Sequence, residues 1–520
     1  MAQAAPLTRR PPFGCRTGRR PLWQPAPGGT GRERGVEGRR SETAGRLARA
    51  ALLGLSLAGC SAVNYVASPL TGPAGPPEGT PGHVAGFLGA VVADEPQAAL
   101  VGRQALSAGG SAADAAVAVA TTLAVTLPSR AGLGGGGACL AFKPGRRAVN
   151  KGVPEAAIFV PLAPARPQGA GADRPAAIPM LPRGLFLLHA RYGHLPFEQL
   201  VRPAEELARS GAIASRAFVE DLRLVAGPLF ADPQARAVFS RNGAPLAVGE
   251  RFAQPALAAT LAQIRTDGVG DFYQGGLARR IVEASRLAGG PITLAQLYAG
   301  LPAWAPAVEL ADGRDQVGFL PPPADGGLAA AAAFQVLLAN PAALAEAGAR
   351  AQAVSATWRQ SGGDPRTLLS TVAAEASGSA LPALPATTTF ATLDNTGAAV
   401  ACALSMDNLF GTGRIAPSLG FLLAASPRDV PPPLLAAAIA TRARATFRAA
   451  VGGSGQNASG IATAAAMTDA LRTGAPVPEP VPEPGRANVI VCAGGLPGAE
   501  RSCAWAADPR SAGLAVGGGG

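Results

Sequence analysis

The run TTTFATLDNTGAAVACALS, Thr387 to Ser405, restricts the fold more than any other stretch of the chain. Two β-branched and apolar segments, 387–393 and 398–405, flank an Asn395-Thr396-Gly397 turn, which is a hairpin signal. Residues 86–94 read as a short apolar strand. Two helical segments follow, split at Gly109-Gly110, with Ser111 as N-cap and Asp114 three residues on. Two amphipathic helices broken at Gly193 occupy 184–211, further helices fill 217–300, and a strand, a Gly-rich turn and a helix occupy 449–474. Helices interleaved with antiparallel strands predict the α+β class, not a doubly wound parallel sheet.

Composition narrows the function classes. The net charge of +11 suggests nucleic acid, but residues 1–60 hold 11 Arg against 3 Asp/Glu, so little of the excess remains elsewhere. Lysine occurs only at Lys143 and Lys151, beside 43 arginines, a high-GC coding bias. No nucleic-acid partner is expected. The four glycines Gly134–Gly137 suggest a phosphate loop, but no Lys-Ser/Thr follows and the run enters a strand. They are read as close backbone packing. The three histidines and six cysteines form no CxxC or His/Cys cluster, so no metal and no cofactor are expected.

The N-terminal region divides further. Residues 1–45 are Arg-, Gly- and Pro-rich and read as a disordered leader. Residues 46–60, RLARAALLGLSLAGC, have the charged start, short apolar run and small residues of a secretory signal. Leu57-Ala58-Gly59-Cys60 resembles the lipobox of bacterial lipoproteins, which implies lipidation of Cys60 and a chain anchored in the cell envelope, facing the periplasm. Residues 61–85 read as a flexible tether and 475–485 as a stiff Pro-rich spacer. Cys139 and Cys402 sit in apolar runs and read as buried thiols. Cys492 and Cys503 flank AGGLPGAERS between two apolar stretches, which leaves a hairpin-bridging disulfide and free thiols both open.

The segments GGSAADAAVA, LPSRAGLGGGGACL, IPMLPRGLFLLHARYGHLPFEQLVRPAEELARSG, FYQGGLARRIV, PPPADGG and TTTFATLDNTGAAVA followed by NLFGTG resemble the γ-glutamyltranspeptidase family, in that family's order, across residues 86–474. The resemblance implies the αββα sandwich of N-terminal-nucleophile hydrolases. It also implies a precursor that cuts itself before Thr387 into associated fragments, 86–386 and 387–520. An internal threonine lacks a base, whereas a freed α-amine, titrating near ~8, lies within reach of its own hydroxyl. Thr387 is then the nucleophile that takes the acyl group from a γ-glutamyl or related small-molecule amide and passes it to water, an amino acid or a peptide.

The other site positions follow from the same resemblance. Ser405 stands where the family has a second threonine that assists the nucleophile. Asp407 replaces an asparagine, exchanging an amide donor for an acceptor. Lys151 replaces the arginine that grips the donor carboxylate and lacks its bidentate fork. Ser426 and Asp429 fall on the pair holding the donor's α-amino end. Leu434-Leu435 replace two carboxylate-binding serines, and Gln456-Asn457 replace the glycine pair of the oxyanion hole. These departures leave two expectations: a self-cleaving acyltransferase or amidohydrolase, and a catalytically degenerate envelope lipoprotein of the same fold that binds a ligand or partner.

Overall fold

The computed structural model describes residues 86–145, 152–165, 172–374, 386–478 and 481–518. The leader, the signal segment with Cys60, the tether and Lys151 lie outside them.

Strands β1 (Gly89–Ala93), β2 (Gly136–Phe142), β3 (Glu155–Phe159) and β4 (Ala303–Pro306) belong to one large sheet, and β5 (Val308–Asp312) and β6 (Asp315–Phe319) to a second. The threonine run forms β7 (Thr387–Asp394), paired with β8 (Ala399–Ser405) as the hairpin expected, Thr387 opposite Ser405. Then come β9 (Ala436–Arg442), β10 (Thr446–Ser454), β11 (Arg486–Leu496), β12 (Cys503–Ala507) and β13 (Leu514–Gly518). The first sheet runs β13-β1-β7-β8-β2-β3-β4 and the second β12-β11-β10-β9-β6-β5, with every neighbouring pair antiparallel.

Strand alternation divides each sheet between two cores. From β7 and β8, Ala391, Leu393, Ala399, Ala401 and Ala403 join Ala437, Ile439, Ala450 and Ile490 of the second sheet in one buried cluster. Phe390, Val400, Cys402 and Leu404 face the other way, onto α1 (Pro96–Ser107) and α2 (Ala112–Thr126). The outer face of the second sheet is covered by α5 (Gly326–Ala339), α6 (Leu344–Ser361) and α7 (Ser459–Thr473), after α3 (Leu181–Tyr192) and α4 (Phe197–Ser210) on the first side. The result is the αββα sandwich. All 15 residues of α2 are buried, as an Ala/Val/Thr helix without a polar face requires. Its start is fixed by the expected capping box, Ser111 Oγ accepting from Asp114 N–H and Asp114 Oδ2 from Ser111 N–H.

Three expectations about single residues are resolved. A Cβ on Gly134, Gly135, Gly136 or Gly137 would lie 2.2, 2.5, 2.2 or 2.3 Å from a neighbouring carbonyl oxygen, so the glycines serve close backbone packing. Cys139 and Cys402 are not free thiols. They are register partners on β2 and β8 and form a disulfide, a proximity that 263 intervening residues conceal from the sequence. Cys492 and Cys503 bridge β11 and β12 in the same way. Within the stretch 475–485, Val481 is buried among the helices of the second sheet, and β11 begins at Arg486.

Candidate functional site

The alternation that buries Ala391 and Leu393 between the sheets places Thr387 and Thr389 on the same inner face. Thr389 meets the second sheet where β10 carries Gly452, whose missing side chain leaves the room: a Cβ there would lie 2.8 Å from Thr389 Cβ. Asn488 of β11 donates to Thr389 O at 2.9 Å and to Asp94 Oδ1 at 2.8 Å. Asp94 Oδ2 accepts from Thr389 N–H at 2.9 Å and Thr388 Oγ at 3.1 Å. Burial pushes the Asp94 carboxyl above its ordinary range, while the Arg130 charge and these hydrogen bonds oppose the shift. The first residues of β7 are thus tied to both sheets.

Thr387 opens that strand, is 1% exposed, and its hydroxyl has no hydrogen-bond partner. Opposite it, Ser405 Oγ donates to the carbonyl of Ala386 at 2.9 Å and accepts from Asp407 N–H at 2.8 Å. A hydroxyl donor therefore sits on the peptide bond that precedes Thr387. Among the described residues, nine buried side-chain polar atoms lack a partner, and Thr387 Oγ, Asp407 Oδ2 and Gln456 Oε1 are three of them. Such atoms are rare in folded proteins and mark places where a ligand or water completes the bonding.

Asp407 follows the end of β8 with φ +61°, a conformation seldom adopted outside glycine, and is almost fully buried. Burial drives its carboxyl well above the usual range, and the Arg359 charge only partly opposes that. Asp407 lines a cavity of about 420 Å³ together with Leu435, Trp358 and Pro431–Pro433. A second cavity of about 570 Å³ shares Pro323 and Trp358 with it. On the same wall Asp325 takes Arg359 in a two-pronged pair at 2.6 and 2.9 Å and accepts a third bond from Ser355.

The remaining expected positions are distributed around this centre. Ser426 is buried beside Pro427 of the cavity wall, and its backbone carbonyl accepts from Asp429 N–H at 2.9 Å; the Asp429 side chain is exposed. Leu434 and Leu435 are buried on opposite faces of the second sheet, Leu435 toward the cavity. Gln456 (φ +57°) and Asn457 form a single 3-10 turn between Gly455 and α7, held by Ser459 Oγ, which donates to Leu434 O and Gln456 O. The first amides of such a turn have no partner within it. Sequence reasoning assigned no role to Trp358, Arg359 or the Asp325 of PPPADGG. Their only signal was the retention of that motif, which fixes the segment and not the pairing.

The family model for gamma-glutamyltranspeptidase matches residues 98–360, just over half of the chain and ending before Thr387. The chain is 32% identical over 256 residues to the glutathione hydrolase proenzyme of Escherichia coli, covering 46% of this chain and 43% of that protein. It is 32% identical over 247 residues to glutathione hydrolase 3 of Arabidopsis thaliana, covering 46% and 38%. The matches thus span less than half the length of these relatives. A crystal structure of cephalosporin acylase from Bacillus halodurans superposes with a TM-score of 0.68 over 86% of this chain and 99% of that one, at 20% identity. The structure of LmbA2991T421A gives 0.64 over 83% and 98%, at 18%.

Proposed function

Because the chain belongs to the γ-glutamyltranspeptidase family, we propose that it is a self-processing acyltransferase and amidohydrolase whose nucleophile is Thr387. The observation that carries this reading is the partnerless Thr387 hydroxyl, next to a preceding carbonyl that already accepts a hydrogen bond from Ser405. In the precursor, Thr387 Oγ adds to the Ala386 carbonyl carbon, and Ser405 donates to the oxygen as it gains charge. Collapse breaks the C–N bond, leaving an ester on Thr387 and a free α-amine. One water then hydrolyses the ester and releases Ala386 as a carboxylate.

The new α-amine is the base that the internal residue lacked. It takes the hydroxyl proton as Thr387 Oγ attacks the carbonyl of a γ-glutamyl or related amide, and gives that proton to the departing amine. Water or an amino-acid amine then removes the acyl group. Backbone amides at Gln456 and Asn457 are the proposed oxyanion donors, and any residue but proline has one. Ser426 and Asp429, with Lys151, are the proposed donor contacts. Attachment to the bacterial envelope through Cys60 is part of the same reading; two disulfides support it, since such bonds persist in oxidising compartments.

Mass analysis and N-terminal sequencing of purified protein test the proposal. After reduction of the disulfides, two fragments, the second beginning at Thr387, are expected, with a single uncut chain for Thr387→Ala. An uncut wild-type chain without amide turnover would favour the degenerate binding protein instead.

A further inference from the structure

The cavity beside Asp407 is walled by Leu162, Trp358, Leu435 and the three successive prolines Pro431–Pro433. Prolines lack an N–H to offer and the leucine side chain offers no polar group. Among the described residues, its charged lining consists of Asp325, Arg359 and Asp407. The first two are closed on one another by two short hydrogen bonds, so most of the arginine fork is already engaged. What remains unmet is one atom, Asp407 Oδ2, buried and without a partner.

We propose that this cavity receives the acyl part of the donor and selects a neutral, apolar acyl group, aliphatic or aryl, with one polar atom hydrogen-bonded to Asp407. The inference rests on the acyl-transfer reading above and names its substrate class. A γ-glutamyl group would bring an ammonium and a carboxylate into this space. Buried charges are tolerated only when paired and fully hydrogen-bonded; among the described lining residues Asp325 and Arg359 already pair with each other, and the leucine and proline side chains offer no partner. Burial favours the protonated form of Asp407, which can donate to a neutral oxygen and exerts no pull on an ammonium. The volume of about 420 Å³ lies within the range of small-molecule sites.

Binding to the full-length Thr387→Ala protein separates this inference from the catalytic one, since it needs neither cutting nor turnover. The probes are hexanamide, phenylacetamide and L-glutamine, read by the fluorescence of Trp358, with Trp358→Phe as the control that localises the signal. The two apolar amides are expected to bind at least tenfold more tightly than glutamine. Asp407→Asn, which keeps a hydrogen-bonding side chain without charge, is expected to hold them within about threefold. Glutamine binding as tightly as hexanamide, or no saturable binding of either apolar amide up to about 10 mM (on the order of −3 kcal/mol), would overturn the proposal. If the amides bind as expected but wild-type protein is never cut, the catalytic reading fails and the pocket assignment stands.

Discussion

Replacing Ser405 by alanine removes one oxygen that serves two partners, the Ala386 carbonyl at 2.9 Å and the Asp407 N–H at 2.8 Å. The two losses act on different quantities. In the precursor the bond to Ala386 O is neutral, and such bonds contribute about 0.5–1.5 kcal/mol; as the oxygen becomes an oxyanion the same bond rises to about 1.5–3 kcal/mol. The difference, about 1–2 kcal/mol, slows cutting by roughly 5- to 30-fold at ~1.4 kcal/mol per decade. The Asp407 N–H, left buried without an acceptor, costs about 1–3 kcal/mol of stability. Ser405→Thr restores the hydroxyl and should recover most of both. The assay is the time course of fragment appearance on reducing denaturing gels after synthesis, alongside denaturant unfolding of each variant in the uncut Thr387→Ala background. Ser405→Ala protein that cuts as fast as wild type would refute the role given to this hydrogen bond, whatever its stability.

Other perturbations separate neighbouring parts of the site. Gly452→Ala would place a methyl 2.8 Å from Thr389 Cβ, and such overpacking should cost about 1–3 kcal/mol in denaturant unfolding; a neutral result would mean the sheets are looser there than described. Burial raises the Asp407 carboxyl well above the value near ~4 that it has in the unfolded chain. The folded state therefore keeps the extra proton from about pH 4 upward until the carboxyl ionises, and its stabilising contribution is lost as pH rises through that window. Unfolding free energies of Asp407→Asn should accordingly gain on those of Asp407 protein from about pH 4 to 7, both in the Thr387→Ala background; parallel pH curves would contradict the buried, neutral carboxyl. Thr387→Ser should still cut and turn over amide, more slowly, whereas Thr387→Ala should do neither, as fragment analysis and an anilide assay would show.

What the sequence disclosed was local. The hairpin around Asn395–Gly397 and the capping box of Ser111 and Asp114 appear where short-range patterns place them, because turn chemistry and capping act over three or four residues. Contacts made by sheet register were hidden. Cys139 lies opposite Cys402 only because β8 pairs with both β7 and β2, and nothing near either cysteine encodes that. The cavity was half legible: Leu434-Leu435 announced the loss of polar groups. Its opposite wall comes from PPPADGG and the end of α6, which converge only when the second sheet is covered. Asp407 looked like a ligand contact by position, but its burial, positive φ and missing partner are three-dimensional properties.

The Cys139–Cys402 bridge spans the proposed scission point, since one sulfur lies before residue 387 and the other after it. Two polypeptides produced by such a cut would remain one covalent molecule, unable to part or trade halves by dilution. On gels the protein should run as a single band without thiol and as two with it. Maturation of this chain would then be a change of ends inside an unbroken loop, visible only once a reductant opens it.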